Sequence, residues 1–188
     1  MDIRTSGPGC RPSILGAAFV CLLVFLPATG RAEVKEATAS GFSIKIDADV
    51  NASAPAVFRA LVDQIGMWWD PSHTWSGKAV NLSIDARAGG CFCELLPNGG
   101  VLHMTVTYVD RPKQLRLHGG LGPLGSLAVT GTMTWAITES AGRSKVELTY
   151  NVGGYMQGGL GTLAAPVDGV LSIQVKRLKT YIETGRPQ

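Results

Sequence analysis

The sequence has 188 residues, 45% of them hydrophobic, and its 17 lysines and arginines against 14 aspartates and glutamates give a net charge of +3. A charge this small, without a basic cluster, excludes nucleic acid as an expected partner. The 24 glycines lie mostly between apolar runs, which indicates turns and close backbone approaches and not a disordered chain.

The first 32 residues are typical of an export signal. A weakly basic start precedes the apolar run Ile14–Leu26, 13 residues long, and a proline and small residues follow it. A transmembrane helix needs about 20 apolar residues, so a cleaved signal is favoured over an uncleaved membrane anchor. We therefore predict cleavage after Gly30 or Ala32 and a secreted or periplasmic protein that has no membrane partner once the signal is removed.

Removal of residues 1–32 leaves residues 33–188, a single domain of 156 residues with room for a sizeable core. The removed segment contains three arginines and one aspartate, so the remaining chain has a net charge of +1. Two of the four cysteines leave with this segment, and Cys91 and Cys93 remain. A domain of this size needs no disulfide framework.

The first predicted strand runs from about Phe42 to Ala48, where apolar and polar residues alternate. A helix follows, with Ser53 as its N-cap, apolar residues at helical spacing and Gly66 at its end. The next segment, MWWDPSHTW, is a loop or a short helix rich in aromatic residues.

Six further alternating segments predict an antiparallel meander, because turn-forming residues separate several of them. A long helix from about Thr162 to Glu183, with an apolar stripe, closes the chain. This order predicts an α+β fold in which a curved antiparallel sheet of about seven strands wraps around the C-terminal helix, with a shorter helix after the first strand. The space between sheet and helix is the candidate site. The six segments are Val80–Ala86, Cys91–Leu96, Val101–Val109, Gln114–His118, Ala128–Thr138 and Ser144–Val152.

Five short segments carry a resemblance to a known family: APAVFRALVD (Ala54–Asp63), WW (Trp68–Trp69), AGGCFCE (Ala88–Glu94), VDRPKQLRL (Val109–Leu117) and VELTY (Val146–Tyr150). With the order of elements, they resemble the START-like or SRPBCC superfamily, whose members share the helix-grip fold. The sequence is most similar to the branch of polyketide cyclase/dehydrase-type proteins and homologues of the activator of heat-shock protein 90 ATPase.

The resemblance covers nearly all of residues 33–188 and implies a ligand-binding domain there. It is specific for fold and poor for function, because the superfamily includes ligand carriers, cyclases, hydrolases and chaperone partners. The export signal departs from the usual cytoplasmic member and argues against a cytosolic chaperone as the partner.

Two registers are open for the hairpin that follows strand Cys91–Leu96. A two-residue Asn-Gly turn places Glu94 opposite His103 and both cysteines on the apolar face of the next strand. A three-residue Asn-Gly-Gly turn with a bulge aligns Phe92 and Glu94 with that face instead. Similar family members carry an aromatic residue and an acid, one residue apart, facing the cavity from this strand, so the resemblance implies the second register. The apolar face consists of Leu102, Met104 and Val106.

In the second register Glu94 is an acid on an apolar wall, where a carboxylate must find a partner or become protonated. One interpretation is a group that hydrogen-bonds a ligand or acts as a general acid or base, which makes Glu94 the candidate catalytic residue. The other is an acid near the cavity mouth that pairs with an arginine or with water.

The two cysteines then face outward, with His103 diagonally near them. Cys91, Cys93 and His103 are a conceivable soft-metal or redox site, although they supply at most three ligands and lack the paired spacing of a structural zinc site. A disulfide between residues two apart on one strand lies near the upper limit of disulfide reach. The commonest case is a pair of small apolar residues, so no metal site is predicted.

Ten residues are predicted to contact a ligand, although aromatic residues and methionines at such spacings are often ordinary core. The segment Gly120–Gly125 fits G-x-G-x-x-G, but it contains a proline and precedes a strand, so it predicts a mobile apolar loop at the cavity rim and not a dinucleotide site. The ten residues are Trp69, Phe92, Glu94, Met104, Tyr108, Met133, Trp135, Tyr150, Leu171 and Gln174.

These observations lead to one functional hypothesis and an alternative. The first is an exported protein that binds a small apolar or aromatic molecule between the sheet and the last helix, without a cofactor. The alternative is a cyclase- or hydrolase-like enzyme that uses Glu94 as general acid or base. The oligomeric state is not predicted.

Overall fold

One antiparallel sheet of eight strands organises the part of the chain that the computed structural model describes, residues 1–2 and 32–187. The predicted signal falls almost wholly on residues 3–31, which lie outside the described residues, so it stays a prediction. Among the described residues, no helix has the length and hydropathy that crossing a bilayer requires.

The strands follow the order β1-β2-β8-β7-β6-β5-β4-β3 across the sheet, and every neighbouring pair is antiparallel. Three α-helices and four short 3₁₀ segments (Pro71–His73, Ala79–Asn81, Gly122–Ser126 and Leu160–Leu163) complete the described fold. The helices are α1 (Ala54–Asp63), α2 (Ile65–Trp68) and α3 (Ala164–Thr184). The strands are β1 (Ala32–Ala37), β2 (Gly41–Val50), β3 (Leu82–Ile84), β4 (Cys91–Leu96), β5 (Gly99–Asp110), β6 (Gln114–His118), β7 (Ala128–Ser140) and β8 (Arg143–Tyr155).

The α+β class, the curved antiparallel sheet and the long C-terminal helix are confirmed. The sheet has one strand more than the predicted seven, because β1 pairs with β2 at the edge. The shorter helix α1 therefore follows the second strand and not the first. Strand β1 has no alternating apolar face that would reveal it in the sequence, and of its residues Val34 packs against the core.

The core lies between one face of the sheet and the helices. On β7 and β8 the alternation is regular, and paired inward residues such as Trp135 with Leu148 and Ile137 with Val146 are buried. Helix α3 contacts β1, β2, α1 and α2, and it turns Leu171, Val175 and Leu178 into the core. The apolar stripe of α3 therefore packs against the sheet, as its helical spacing predicts.

The hairpin between β4 and β5 follows neither predicted register. Leu96 pairs with Gly99 across a two-residue Pro-Asn turn, and the register shifts by a bulge between Phe92 and Cys93. Phe92 and Glu94 face the core, as the second register proposed, but Leu102 pairs with Cys93 and is 61% exposed. The bulge lies within the paired strands, at His103, and not at the turn, so the apolar face of β5 begins later than expected.

Candidate functional site

A cavity of about 600 Å³ lies between the sheet, α3 and two loops. Its walls are mainly apolar, and its few polar groups include two histidine rings, His73 and His103. Among the residues that line it, Trp75 and Leu127 are exposed to solvent. A volume of this size lies within the range that small-molecule pockets occupy in proteins.

One wall of the cavity is the aromatic loop, residues 69–76. Trp69 begins it with a buried indole whose ring meets Phe92 of β4 edge to face at 5.5 Å. Its Nε1 donates to the carbonyl of His73 at 3.0 Å, and the Asp70 carboxylate accepts from the Ser72 amide at 2.9 Å. The loop is thus closed on itself by side-chain to backbone hydrogen bonds.

Gln174 attaches this loop to α3. It is fully buried, its Oε1 accepts from the Asp70 amide at 2.9 Å, and its Nε2 lies 3.0 Å from Nδ1 of His73. Its amide is therefore used in holding the loop, and Gln174 does not line the cavity.

Glu94 attaches the other end of the loop to the sheet. Its side chain is 1% exposed, and its two oxygens accept from the amides of Ser76 at 2.5 Å and Trp75 at 3.0 Å. Burial alone would raise the pKa of Glu94, but the hydrogen bonds from Ser76, Trp75 and His103 outweigh it and hold the pKa below its usual value. Glu94 is therefore an ionised structural anchor, and it is not one of the residues that line the cavity.

His103 completes the link between Glu94 and the cavity. Its Nε2 lies 3.1 Å from Oε2 of Glu94, and its ring lines the cavity beside Phe92, with ring centroids 5.1 Å apart. Burial lowers the pKa of His103, although Glu94 acts in the opposite direction. The ring is therefore neutral at neutral pH and lies beside an ionised carboxylate.

The rim loop, residues 119–127, forms a second wall. Tyr150 of β8 supports it from below: its hydroxyl donates to the carbonyl of Gly119 at 3.0 Å and accepts from the amide of Leu121 at 3.1 Å. The glycine-rich segment within this loop lies at the cavity, where the sequence predicts it. Its residues Leu121 and Leu124 give the wall an apolar surface.

Replacing Tyr150 with phenylalanine is expected to lower the free energy of unfolding by about 1–3 kcal/mol, because two rim-loop backbone groups lose their partner. Burial raises the pKa of Tyr150 to about 12. Since the unfolded tyrosine ionises near pH 10, the wild type loses stability between about pH 10 and 12, and the variant lacks this loss. Urea denaturation at pH 7 and above pH 10 measures both effects. Tyr155→Phe, at a residue 73% exposed, is the control, and equal losses in the two variants would contradict the prediction.

Three of the ten predicted contact residues line the cavity, namely Trp69, Phe92 and Leu171. Tyr108 lies on the outer face of the sheet, 43% exposed, with the Arg116 guanidinium 5.3 Å from its ring centre. Four others are buried core residues that do not line the cavity: Met104, Met133, Trp135 and Tyr150. Glu94 and Gln174 hold the aromatic loop, as described above.

Sequence reasoning missed both cavity histidines and the first turns of α3. Pro166, Val167 and Val170 line the cavity on the helix, and the apolar stripe is the signal that could have assigned them. His73 lies within the aromatic segment that the sequence singles out. His103 carries no such signal, because its inward direction depends on the bulge.

The two cysteines form a disulfide between residues two apart, with Cα atoms 5.4 Å apart. The sequence left their redox state open, with a pair of small apolar residues as the commonest case. In an ideal strand, Cα atoms two residues apart are separated by about 6.6 Å. The Cys91–Cys93 distance is shorter than this, at the position in β4 that lies opposite the bulge of β5. His103 faces inward, so the three residues do not form the conceivable soft-metal site. Within residues 1–2 and 32–187, no group of histidines, cysteines and carboxylates could hold a metal ion.

No protein-family model matches the sequence, and no curated protein matches it significantly. Solved structures do match it. CalU16 from Micromonospora echinospora, in its solution NMR structure, gives a TM-score of 0.57 at 15% identity, over 86% of this chain and 80% of that chain. The Aha1 dimer from Colwellia psychrerythraea gives 0.55 at 17% identity, over 76% and 97%. EF2215 from Enterococcus faecalis, a conserved protein of unknown function, gives 0.56 at 16% identity, over 83% and 78%.

At identities this low the likeness shows the fold. The protein has the helix-grip fold, which is the fold that the sequence resemblance implies. Fold alone does not define activity in such a group, so the function must be argued from the cavity.

Proposed function

We propose that this is an exported protein that binds a small apolar or aromatic molecule in the cavity between the sheet and α3. The observation that carries the proposal is the cavity itself: about 600 Å³ of space bounded mainly by apolar side chains. Burial of apolar ligand surface supplies affinity in such a site, and a few polar groups fix orientation. Two of the residues that line the cavity, Trp75 and Leu127, are also exposed to solvent.

Two independent features support export. The N-terminal sequence has the pattern of a cleaved signal, and the domain contains the Cys91–Cys93 disulfide. Disulfides persist in oxidising compartments such as the periplasm and the extracellular space. Both features favour a secreted or periplasmic location.

The alternative, catalysis by Glu94 as general acid or base, has less support. A general acid or base must reach the proton it transfers, and Glu94 does not line the cavity. Both its oxygens accept from backbone amides, and its lowered pKa is far from that of an efficient proton shuttle at neutral pH. We therefore propose binding and not Glu94 chemistry.

Blocking the cavity tests the proposal. Val170 lines it from α3, and we expect Val170→Trp to raise the Kd of a neutral dye, N-phenyl-1-naphthylamine, at least tenfold, because the indole occupies the ligand volume. A fluorescence titration measures the Kd. The matched control is Ile173→Trp on the same helix, at a residue 42% exposed, which is expected to bind as the wild type does. Equal affinities of all three proteins, or no binding by the wild type, would contradict the proposal.

Native mass spectrometry of the protein from its own host identifies the natural ligand. We expect a bound small molecule in addition to the chain, and a chain that begins after Gly30 or Ala32. A chain that retains residues 1–32 would contradict the export part of the proposal alone.

A further inference from the structure

The arrangement of the two cavity histidines defines which hydrogen bonds a ligand can make. His103 belongs to the bulged part of β5, where it and Met104 both turn inward in succession. Its side chain is 96% buried, and its ring forms part of the cavity wall. It is thus one of the few polar groups on a mainly apolar surface.

Hydrogen bonds determine which ring nitrogen of His103 carries the proton. Glu94 is ionised and can only accept, and two backbone amides already donate to it. The Nε2 of His103, at 3.1 Å from Oε2 of Glu94, must therefore carry the proton. In the neutral ring Nδ1 then has a free lone pair; the atom itself is buried, with almost no surface open to the cavity, and among the described residues no group donates to it.

The same reasoning places the free hydrogen-bond donor of His73 on its Nε2, whereas the free group of His103 is an acceptor. Oε1 of Gln174 accepts from the Asp70 amide, so the remaining atom of that amide group, Nε2, is a donor. It lies 3.0 Å from Nδ1 of His73, which must accept, and the proton of His73 is then on its own Nε2. One histidine of the cavity is therefore an acceptor and the other a donor.

We infer that the ligand carries a hydroxyl group, phenolic or alcoholic, and that the His103 ring shifts slightly on binding so that its buried Nδ1 accepts a hydrogen bond from this group. This inference rests on the proposed binding function and specifies its ligand class. A buried acceptor without a donor is costly, so a ligand that supplies the donor gains over a plain hydrocarbon. A carboxylate is disfavoured, because it offers no proton to Nδ1 and the Glu94 anion lies immediately behind the ring.

A matched pair of probes tests the inference. Competition against N-phenyl-1-naphthylamine gives the Kd values of 2-naphthol and naphthalene, which differ by one hydroxyl group. In the wild type we expect the Kd ratio of naphthalene to 2-naphthol to exceed that in His103→Phe by about fivefold to tenfold, the size of one neutral hydrogen bond. The control is His118→Phe, at an exposed residue of the outer face, where the ratio is expected to equal that of the wild type.

A second measurement does not depend on the variants. In long-range proton–nitrogen NMR spectra of the wild type, we expect Nδ1 of His103 to be unprotonated and its resonance to move with 2-naphthol but not with naphthalene. A proton on Nδ1, or an unchanged Kd ratio in a folded His103→Phe, would overturn the inference and leave the binding function intact. A wild type that binds neither probe nor the dye would instead overturn the proposed function.

Discussion

Replacing Glu94 with glutamine is expected to lower the free energy of unfolding by about 3 kcal/mol, the largest effect of any polar substitution proposed here. The carboxylate is 1% exposed and receives charge-assisted hydrogen bonds from two backbone amides and from His103. A glutamine has one accepting oxygen, and its NH₂ group would point at an N–H donor. Because Trp75 and Ser76 then lose their anchor, the aromatic loop separates from β4.

The acid dependence of stability provides a second readout of the same substitution. The folded pKa of Glu94 is lowered, so the unfolded state binds its proton first as the pH falls. The stabilisation is therefore complete above about pH 4.5, the ordinary value, and is lost as the pH falls through the folded pKa. Urea denaturation at pH 7 and at several values below pH 5 should show the wild type approaching the variant.

The matched control for Glu94→Gln is Glu147→Gln. Glu147 pairs with Lys45 at 2.5 Å on the outer face of the sheet, where both side chains are about one third exposed, and such pairs contribute about 0–1 kcal/mol. If Glu94→Gln costs no more than this control at pH 7, the buried carboxylate does not anchor the aromatic loop.

The sequence predicts those parts of the fold that depend on local periodicity. Strands β7 and β8 alternate strictly because one face is buried and the other meets water, and α3 shows its apolar stripe for the same reason. A strand such as β1, which buries little, has no such pattern. Its pairing with β2 is a backbone interaction that any sequence of suitable propensity could make.

The β4–β5 hairpin shows where alternation fails. One extra residue on β5 reverses the faces beyond the bulge, so His103 points inward beside Met104 and Leu102 points outward. Residue type gives no warning of this change, because a histidine followed by a methionine fits either face. The prediction that Phe92 and Glu94 face inward depended on the family resemblance, because similar family members have an aromatic residue and an acid that face the cavity from this strand.

The candidate site was only partly predictable for a related reason. Leu171 lies on α3, and its inward direction follows from the helical periodicity, whereas that of Phe92 was implied by the family resemblance. The aromatic loop is held by contacts between residues far apart in sequence, such as Asp70 with Gln174 and Ser76 with Glu94. Side-chain to backbone hydrogen bonds of this kind have no repeating pattern, so the roles of Gln174 and Glu94 appear only in three dimensions.

Replacing Leu171 with alanine is expected to lower the free energy of unfolding by about 2–4 kcal/mol, because its side chain is fully buried in the middle of α3. The same side chain lines the cavity, so its removal enlarges a space that is already present. Urea denaturation measures the loss. Ile173→Ala, two residues along the helix at a 42% exposed position, is the control and is expected to cost less than 1 kcal/mol.

Ligand binding distinguishes the contribution of Leu171 to the core from its contribution to the cavity wall. A ligand that binds the folded protein alone stabilises it in proportion to the logarithm of its concentration over its Kd. Saturating N-phenyl-1-naphthylamine should therefore raise the thermal midpoint of Leu171→Ala as well as that of the wild type, since the enlarged cavity still accepts the dye. A variant that is destabilised but no longer responds to the dye would show that the dye binds elsewhere. An empty cavity beside Leu171 lowers the free energy of unfolding, and a ligand that fills the cavity raises it again.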